Sequence, residues 1–377
     1  FFDTNLSING NQACADCHNP EVGWTGPDTA VNTAGAVYEG SISGRFGNRK
    51  PPSSAYATFS PILHYVIEKK EALFTGGNFW DGRATGEKLG NPAADQAQGP
   101  FLNPLEQALP SPAEVVSRVC AADYASLFEQ VWGSGICNAP VQVDTAYGNI
   151  ARSIAAFEAS PESNAFTSKY DYYLKGVVNL SKKEKKGLKL FKSKGKCASC
   201  HVLDAGPGQP PLLTDFTFDN IGVPRNPENP FYTQTAFNSL GDRWIDLGLG
   251  NFLASRVDYR RFAAANYGKQ KVPTLRNVAK GSCEANSTPD CIVKAYSHNG
   301  YFKSLKGIVH FYNTRDVKPA CVNPFTTEAD ALAQNCWPEP EVAANVNTKE
   351  LGNLHLTQKQ EDAIVTFLKT LSDGYQP

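Results

Sequence analysis

Cys14-Ala-Asp-Cys17-His18 and Cys197-Ala-Ser-Cys200-His201 are two complete C-x-x-C-H motifs, one early in each half of the chain. C-x-x-C-H is the attachment signature of c-type haem, in which two thiols bond to the porphyrin edge and the adjacent histidine ligates the iron. The sequence therefore predicts two covalently bound haem c groups. The expected haem-binding residues are the four motif cysteines and the two motif histidines: Cys14, Cys17, Cys197, Cys200, His18 and His201.

Two zinc knuckles or two disulfide loops would also use cysteine and histidine. Zinc usually takes four thiolate or imidazole ligands gathered in paired clusters, whereas each motif here is a lone cluster in its own half of the chain. Haem attachment is therefore favoured. The chain also has no Met, which is the usual second axial ligand of a cytochrome c iron. Two haems that cannot both be ordinary His/Met carriers favour redox catalysis over simple electron relay.

Composition excludes two broad classes of function. The net charge of the 377 residues is -1, which argues against a nucleic-acid-binding protein. The hydrophobic fraction of 41% is enough for a core, and no apolar run approaches the ~18 residues that a membrane-spanning helix needs. We therefore expect no transmembrane segment.

Six further cysteines remain outside the motifs, and an even number favours disulfide bonds formed outside the cytoplasm. Six cysteines allow 15 pairings, of which proximity in sequence favours three short loops. The expected pairs are Cys120–Cys137, Cys283–Cys291 and Cys321–Cys336. Together with haem attachment, they predict a periplasmic or outer-surface protein of the Gram-negative type.

The fold is expected to be mainly α, with two cytochrome c-like haem domains and long ordered loops. Each half has its motif early and ends in an amphipathic segment, at residues 143–159 and 357–371. The second half also contains Ser181-x-x-Glu184, a capping box that predicts a helix start. We expect an N-terminal domain over 1–160 and a C-terminal domain over 161–377, each with one haem.

Several further blocks, in this order, resemble the bacterial di-haem cytochrome c peroxidase/MauG superfamily over nearly the whole chain. Besides the two motifs, the blocks are Gly76-Gly77-Asn78-Phe79-Trp80-Asp81-Gly82-Arg83, Leu102-Asn103-Pro104-Leu105-Glu106, Lys271-Val272-Pro273-Thr274-Leu275-Arg276-Asn277 and His298-Asn299-Gly300. The resemblance implies a di-haem enzyme that reacts with H2O2.

The superfamily has two branches that differ at the C-terminal iron. Peroxidases place a Met opposite the histidine, whereas MauG-like enzymes place a Tyr within a short Phe-Tyr-Asn stretch. Here that stretch is Phe311-Tyr312-Asn313, so the resemblance implies that His201 and Tyr312 ligate the C-terminal iron. A phenolate is a hard, anionic ligand that favours oxidised iron. This ligation implies the bis-Fe(IV) state of the MauG-like branch.

The N-terminal haem is expected to be the peroxide site. His18 is its proximal ligand, and the resemblance places Gln96, Pro100 and Glu106 in the distal pocket. Cleavage of the O–O bond needs a group that moves a proton between the two oxygens. A carboxylic acid in an apolar pocket can serve because burial raises its pKa toward neutrality, and Glu106 is the candidate.

Trp80 is expected between the two haems. An indole has a large π surface and can relay an electron between two irons. Most large aromatic residues are packing residues, so the relay role depends on the resemblance of the surrounding block.

The sequence departs from the family pattern at two positions that affect function. MauG has a surface Trp two residues before the second motif, where this chain has Gly195. Either the electron exit or the partner therefore differs, and Trp244, Trp337 and Trp132 are alternative exits. The family usually holds Ca2+ between the haems through an Asn, where this chain has Lys50. An ammonium group only donates hydrogen bonds, so Ca2+ is expected to be absent or weakly held.

Two other features surround the second haem motif. The segments Cys283–Cys291 and Cys321–Cys336 look like insertions that shape a docking surface. Eight lysines lie between Lys182 and Lys196. The simpler interpretation is a solvated helix face; the alternative is the docking of an acidic partner or electron donor, with salt-sensitive association.

We expect a MauG-like enzyme that uses H2O2 to oxidise a residue on a partner protein. The residue is expected to be Trp, converted to a quinone cofactor or to kynurenine as in MbnH-type enzymes, whose partner is copper-related. One alternative is a di-haem cytochrome c peroxidase that detoxifies H2O2 with electrons from a small redox protein. A di-haem electron-transfer protein with two low-spin irons is the non-enzymatic alternative.

Overall fold

Helices predominate in the computed structural model, which describes residues 1–68, 71–138, 142–204, 209–285 and 288–377. The described α-helices of the first 160 residues are α1 Cys14–Cys17, α2 Thr29–Thr33, α3 Pro92–Leu102, α4 Pro112–Ala121, α5 Ala125–Trp132 and α6 Val143–Glu158. Those of the remaining chain are α7 Lys169–Leu174, α8 Lys182–Lys192, α9 Gly248–Ser255, α10 Leu305–Thr314, α11 Glu328–Gln334 and α12 Gln358–Leu368. The prediction of a mainly α fold is confirmed.

Strands are short and form two antiparallel pairs among the described residues. The strands are β1 His64–Glu68, β2 Glu71–Thr75, β3 Phe218–Asp219 and β4 Gln270–Lys271. β1 pairs with β2 in the register His64 to Thr75, and β3 pairs with β4 in the register Phe218 to Lys271. A bridge between Thr75 and Thr217 links the two pairs, so the strands connect the two halves of the chain.

The helices expected from the sequence begin and end close to the expected residues. α6 ends at Glu158, and α12 continues into a short 3-10 turn over Lys369–Leu371. At the start of α8, Ser181 Oγ accepts a hydrogen bond from the Glu184 amide, and the Glu184 carboxylate accepts one from the Ser181 amide. The predicted capping box is therefore confirmed.

α8 packs closely against α12. A Cβ atom added at Gly187 would lie 2.0 Å from the Ala363 carbonyl oxygen, so the helices meet backbone to backbone at this glycine. Leu190 and Phe191 of α8 are buried beside Ile364 of α12. The helix predicted after the Ser181 capping box and the amphipathic segment 357–371 therefore pack against each other.

The apolar core consists of separate clusters. One cluster lies within the first half and includes Phe101, Val115 and Ile150. A larger one lies within the second half and includes Phe311 and Phe367. A further cluster draws on both halves and joins the short strands to α9; its buried members are Leu63, Phe74, Phe218, Leu249, Leu253 and Ala263. The division into domains 1–160 and 161–377 stays a prediction.

Three disulfide bonds are present, and each of the pairings expected from sequence proximity is confirmed. They join Cys120 to Cys137, Cys283 to Cys291 and Cys321 to Cys336. The first lies beside α4 and α5, and the third spans α11. No helix in the described ranges is both long and apolar enough to cross a lipid bilayer.

Candidate active site

The first C-x-x-C-H motif lies on the wall of a cavity of about 250 Å³, the N-terminal cavity, lined by Cys14, Cys17 and His18. The His18 Nδ1 atom lies 3.2 Å from the Trp24 carbonyl oxygen. Because a carbonyl can only accept, this nitrogen carries the proton and the other ring nitrogen has a free lone pair. Burial lowers the pKa of His18 to about 4, so the ring is a neutral ligand at physiological pH.

The side chains expected in the distal pocket line the same cavity. Gln96 and Pro100 belong to α3, and Glu106 follows its C-terminal end. Asn103 caps α3 and donates a hydrogen bond of 2.6 Å from Nδ2 to Glu106 Oε1. Burial raises the pKa of Glu106, against the opposing effects of Arg83 and of this hydrogen bond. The structure thus brings the three predicted residues together in a cavity that also contains His18.

Two further ionisable residues of this cavity have no role in the sequence analysis. Arg83 forms an ion pair of 2.9 Å with Asp81, and its guanidinium lies 3.8 Å from the centre of the Phe79 ring. In the sequence, the position of Arg83 at the end of the family block Gly76–Arg83 is the feature that could have identified it as a site residue. Glu158, at the end of α6, is 4% exposed, and burial raises its pKa to about 8. Nothing in its local sequence distinguishes it from a surface glutamate.

The second motif lies in a separate cavity of about 230 Å³, the C-terminal cavity, lined by Cys197, Cys200 and His201. His201 Nδ1 lies 3.0 Å from the Leu213 carbonyl oxygen, so this histidine also has a ring nitrogen free for a ligand. Burial lowers the pKa of His201. Both motif histidines therefore have the same tautomer and the same protonation state.

Tyr312 lines the C-terminal cavity from α10. Its hydroxyl forms no hydrogen bond with any described residue, and burial raises its pKa. α12 supplies Ile364 and Leu368 to the same cavity. The phenol is thus placed in the cavity that contains His201, without another partner in the described ranges. Its role as an iron ligand stays a prediction.

Trp80 lies between the two cavities and lines both of them. The indole is 8% exposed, and its Nε1 donates a hydrogen bond of 2.9 Å to the Lys50 carbonyl oxygen. The edge of the His298 ring approaches the indole with 6.4 Å between ring centres. The intermediate position that the resemblance implies for this tryptophan is thus present in the structure.

An ionic network supports the segment that contains Trp80. Arg49 donates hydrogen bonds of 2.6 Å to both carboxylate oxygens of Asp246 and one of 2.7 Å to Asp81. Against the effect of burial, the Arg49 guanidinium holds the pKa of Asp246 well below its usual range. The network joins a residue next to Trp80 to the second half of the chain, so it fixes the relative position of the two cavities.

Lys50 is buried and lines both cavities, and Lys294 is buried on the wall of the C-terminal cavity. The Lys50 ammonium group donates to Thr25 Oγ1 at 2.7 Å and to the Pro51 carbonyl at 2.8 Å. Burial lowers the pKa of Lys50 to about 7. The Lys294 ammonium group donates to the carbonyl oxygens of Val22, Asn277 and Lys280 at 2.8, 3.0 and 3.1 Å. The sequence analysis identified Lys50 but missed Lys294.

Several buried polar atoms that border the cavities have no hydrogen-bond partner among the described residues. In the C-terminal cavity they are both amide atoms of Gln270, whereas His298 Nε2 and Glu341 Oε2 lie 3.5 Å from each other. In the N-terminal cavity they are Gln12 Oε1, Gln107 Oε1 and Ser54 Oγ. An unsatisfied buried polar atom costs ~1–3 kcal/mol. A bound group with polar substituents, such as haem, would supply partners for these atoms. The four motif thiols, which form no disulfide bond, and the two neutral histidines fit two such groups.

The candidate electron exits differ in exposure. A Cβ atom added at Gly195 would lie 2.9 Å from the Leu190 carbonyl oxygen and 3.4 Å from Cys197 Sγ, so position 195 faces inward. Trp337 is 2% exposed and packs against Phe311, which excludes it as a surface contact. Trp244 and Trp132 are half-buried.

Cys200, Asp219 and Glu350 form a cluster of potential metal ligands in the described ranges. The two carboxylates accept hydrogen bonds of 2.7 Å from the same Asn347 amide. Because Cys200 belongs to the second haem motif, the cluster is part of the wall of the C-terminal cavity rather than a separate metal centre.

A mainly helical fold with two histidine–cysteine cavities, bridged by a tryptophan, defines a di-haem c-type protein. A family model described as di-haem cytochrome c peroxidase matches residues 1–179. Methylamine utilization protein MauG of Paracoccus denitrificans (strain Pd 1222) is 34% identical over 384 residues, which covers 100% of this chain and 88% of that protein. The chain belongs to the di-haem cytochrome c peroxidase/MauG family of oxidoreductases, and this membership implies two haem c groups.

Other relatives and solved structures agree with this assignment. Cytochrome-c peroxidase IdrP2 of Pseudomonas sp. (strain SCT) is 26% identical over 86% of this chain and 74% of that protein. The diheme peroxidase BthA from Burkholderia thailandensis E264 superimposes with a TM-score of 0.77 at 27% identity, covering 99% of this chain and 84% of that one. A MauG-like protein associated with microbial copper homeostasis shares the fold, with a TM-score of 0.62 at 23% identity and coverage of 99% and 87%.

Proposed function

We propose that this oxidoreductase uses H2O2 to oxidise a residue on a separate partner protein by long-range electron transfer. The preferred residue is tryptophan. The observation that carries the proposal is that Tyr312 and His201 line one cavity in a chain that has no Met. A tyrosine ligand favours oxidised iron, as expected for an oxidant rather than a carrier. The full-length similarity to MauG supports the same conclusion.

The two haems, bound through the motif cysteines and histidines, would supply one iron that is open to peroxide and one that exchanges electrons with a partner. Glu106 would hold the proton that moves to the departing peroxide oxygen, since burial raises its pKa. Asn103 orients this carboxyl through the bond to Oε1. Reduction of H2O2 to two waters consumes two protons and two electrons, and the electrons come from the partner residue.

Trp80 would carry electrons between the two sites, because it lines both cavities. The partner residue then need not enter either cavity. The family resemblance implies two products of this oxidation: kynurenine and a quinone cofactor. We propose that the partner is a copper-related protein.

Peroxide detoxification with electrons from a small redox protein is the second candidate function. It is favoured by the similarity to proteins named cytochrome-c peroxidase. This function is typical of a C-terminal haem whose iron has His and Met ligands. This chain has no Met and cannot form such a haem, which counts against this candidate.

We also propose that the protein holds no calcium between its haems and that it works outside the cytoplasm. Lys50 stands where the family has an Asn, and its Nζ donates hydrogen bonds to Thr25 and Pro51, so it offers no oxygen ligand to a cation. Three disulfide bonds support an oxidising compartment.

Peroxide titration of the diferric protein tests the main proposal. We expect an electron paramagnetic resonance spectrum with one high-spin component, and a near-infrared absorption band that forms with H2O2 and decays when a partner is added. In Tyr312→Phe the low-spin signal changes and the band is lost, whereas the surface variant Tyr124→Phe behaves as wild type. A Tyr312→Phe protein with unchanged spectra would exclude the phenol as a ligand.

A further inference from the structure

The strongest concentration of charge in the chain lies on α8, directly before the second haem motif. Residues 181–196 contain eight lysines and one glutamate, a local charge of +7, whereas the whole chain has a net charge of -1. The remaining residues therefore carry a net charge of -8, opposite in sign to that of this segment. All eight lysines are exposed.

The α8 lysines form a continuous outward surface. Spacings of three, four and seven residues place five of them on one helix face: Lys182, Lys185, Lys186, Lys189 and Lys192. In the part of the chain that the structure describes, none of these five forms an ion pair. The one acidic residue of the segment, Glu184, is held by Lys169 at 2.8 Å and by the Ser181 amide. We call these five residues the lysine face.

The lysine face and the C-terminal cavity lie on opposite sides of α8. On the opposite side of α8, Phe191 lines that cavity, and the chain then leads through Lys196, also on the cavity wall, to Cys197. An α-helix with its side chains is about 10 Å wide. A protein bound to the lysine face would therefore be separated from the second haem site by about the width of one helix.

The segment after the lysine face is fixed to the rest of the protein. The Lys194 ammonium group donates to the His355 carbonyl oxygen, and that of Lys196 donates to the Lys349 carbonyl at 2.8 Å. With Gly187 in contact with Ala363, these contacts fix the backbone that carries the lysine face. The backbone therefore loses little conformational entropy when a partner binds.

We propose that the lysine face is the docking site for a partner protein with an acidic surface, whose electrons enter at the C-terminal haem. This inference rests on the proposed function and names the chemical character of the partner. Charge complementarity of this kind steers association and makes it sensitive to salt.

An anionic membrane would also attract lysines. Helices that lie on membranes insert an apolar face, whereas the apolar residues of α8, Leu190 and Phe191, are buried in the core. The lysine face itself carries no apolar side chain. The geometry therefore favours a protein partner.

The test compares two triple variants with the same change in charge. Lys185→Glu/Lys189→Glu/Lys192→Glu alters the lysine face, and Lys88→Glu/Arg152→Glu/Arg260→Glu alters exposed cations elsewhere. The probes are reduced plastocyanin, an acidic copper protein, and reduced mammalian cytochrome c, a basic haem protein. Donor oxidation is followed after addition of H2O2 at several salt concentrations.

We expect wild type and the control triple to oxidise plastocyanin rapidly at low salt and more slowly as salt rises. The lysine-face variant should lose at least about tenfold in this rate and should oxidise cytochrome c faster than wild type does. A lysine-face variant that matches wild type with plastocyanin, or a wild type that prefers cytochrome c, overturns the proposal. Lysine-dependent binding to phosphatidylglycerol vesicles without any effect on plastocyanin oxidation would replace it with a membrane role.

Two further measurements separate this inference from the proposed function. Calorimetric binding of plastocyanin at low ionic strength requires no peroxide and reports docking alone. Peroxide consumption with ascorbate requires no docking. Failure of the ascorbate reaction in wild type counts against the proposed function, whereas an unchanged plastocyanin affinity in the lysine-face variant counts against the docking site.

Discussion

The indole Nε1 of Trp80 donates its hydrogen bond to the backbone carbonyl oxygen of Lys50, 2.9 Å away. A carbonyl accepts a hydrogen bond but does not take up a proton at physiological pH. An indole that loses an electron in this site therefore keeps its proton. The bond also fixes the ring at the junction of the two cavities, both of which it lines.

Trp80→Phe should uncouple the two haem sites. Phenylalanine keeps an aromatic ring but loses the Nε1 bond and the readily oxidised indole. We expect oxidation of a protein donor to fall by roughly tenfold or more, with the haem content unchanged in a pyridine haemochrome assay. Tyr124→Phe, at an exposed aromatic residue outside both cavities, is the control. Wild-type rates in Trp80→Phe would show that electrons pass by another route.

Glu106→Gln should slow the reaction with peroxide. The amide keeps the size of the side chain but cannot deliver a proton, a loss that typically costs about 10²–10⁴-fold. Stopped-flow mixing of the diferric protein with H2O2 measures the rate. Glu114→Gln, in the half-buried α4 pair with Arg118, should react as wild type does. A reaction rate in Glu106→Gln close to wild type would remove the proton-transfer role.

Calcium should be unnecessary for activity. Because Lys50 donates to Thr25 and Pro51 at the junction, a divalent cation beside its ammonium group would be repelled. We expect substoichiometric calcium in the purified protein and unchanged peroxide reactivity after chelation. Lys50→Asn, which restores an oxygen ligand, should make activity respond to added calcium. One tightly bound Ca2+ per wild-type chain would contradict this prediction.

Glu158 should make stability fall as pH rises. Burial raises its pKa from 4.5 to about 8, so between these values the unfolded chain has released the proton and the folded protein retains it. The free energy of unfolding therefore decreases across this range. Glu158→Gln should raise the free energy of unfolding at pH 8 by on the order of 2–4 kcal/mol, with no gain at pH 4.5.

Guanidinium denaturation of the holoprotein at both pH values measures the effect of Glu158→Gln. The exposed Glu162→Gln is the control in the same region. An equal gain at pH 4.5 and pH 8 would mean that the amide acts through packing and not through the titration of the carboxyl.

Local patterns predicted much of this protein because their physical causes are local. The capping box at Ser181 depends on residues three positions apart. The short disulfide loops follow from proximity along the chain. The family resemblance implied one pocket for Gln96, Pro100 and Glu106, and these residues line one cavity together with His18.

Other features could not be predicted because they depend on distant segments. Lys294 donates to carbonyls of Val22 and Asn277, and backbone carbonyls leave no signal in a sequence. Glu158 has a surface glutamate's local pattern, and only the packing of α6 against the N-terminal cavity buries it. The inward direction of position 195 likewise depends on where α12 packs.

The sequence by itself determined the chemistry of this protein: two haem attachment motifs, no Met to ligate iron, and eight lysines before the second motif. These are properties of covalent structure and composition, so no fold is needed to establish them. The tertiary structure alone decided that the Trp80 indole donates to the Lys50 carbonyl, that Glu158 is buried and that Phe191 faces the second cavity. Such relations follow from which surfaces are buried against one another, because burial of apolar area acts between segments far apart in the chain.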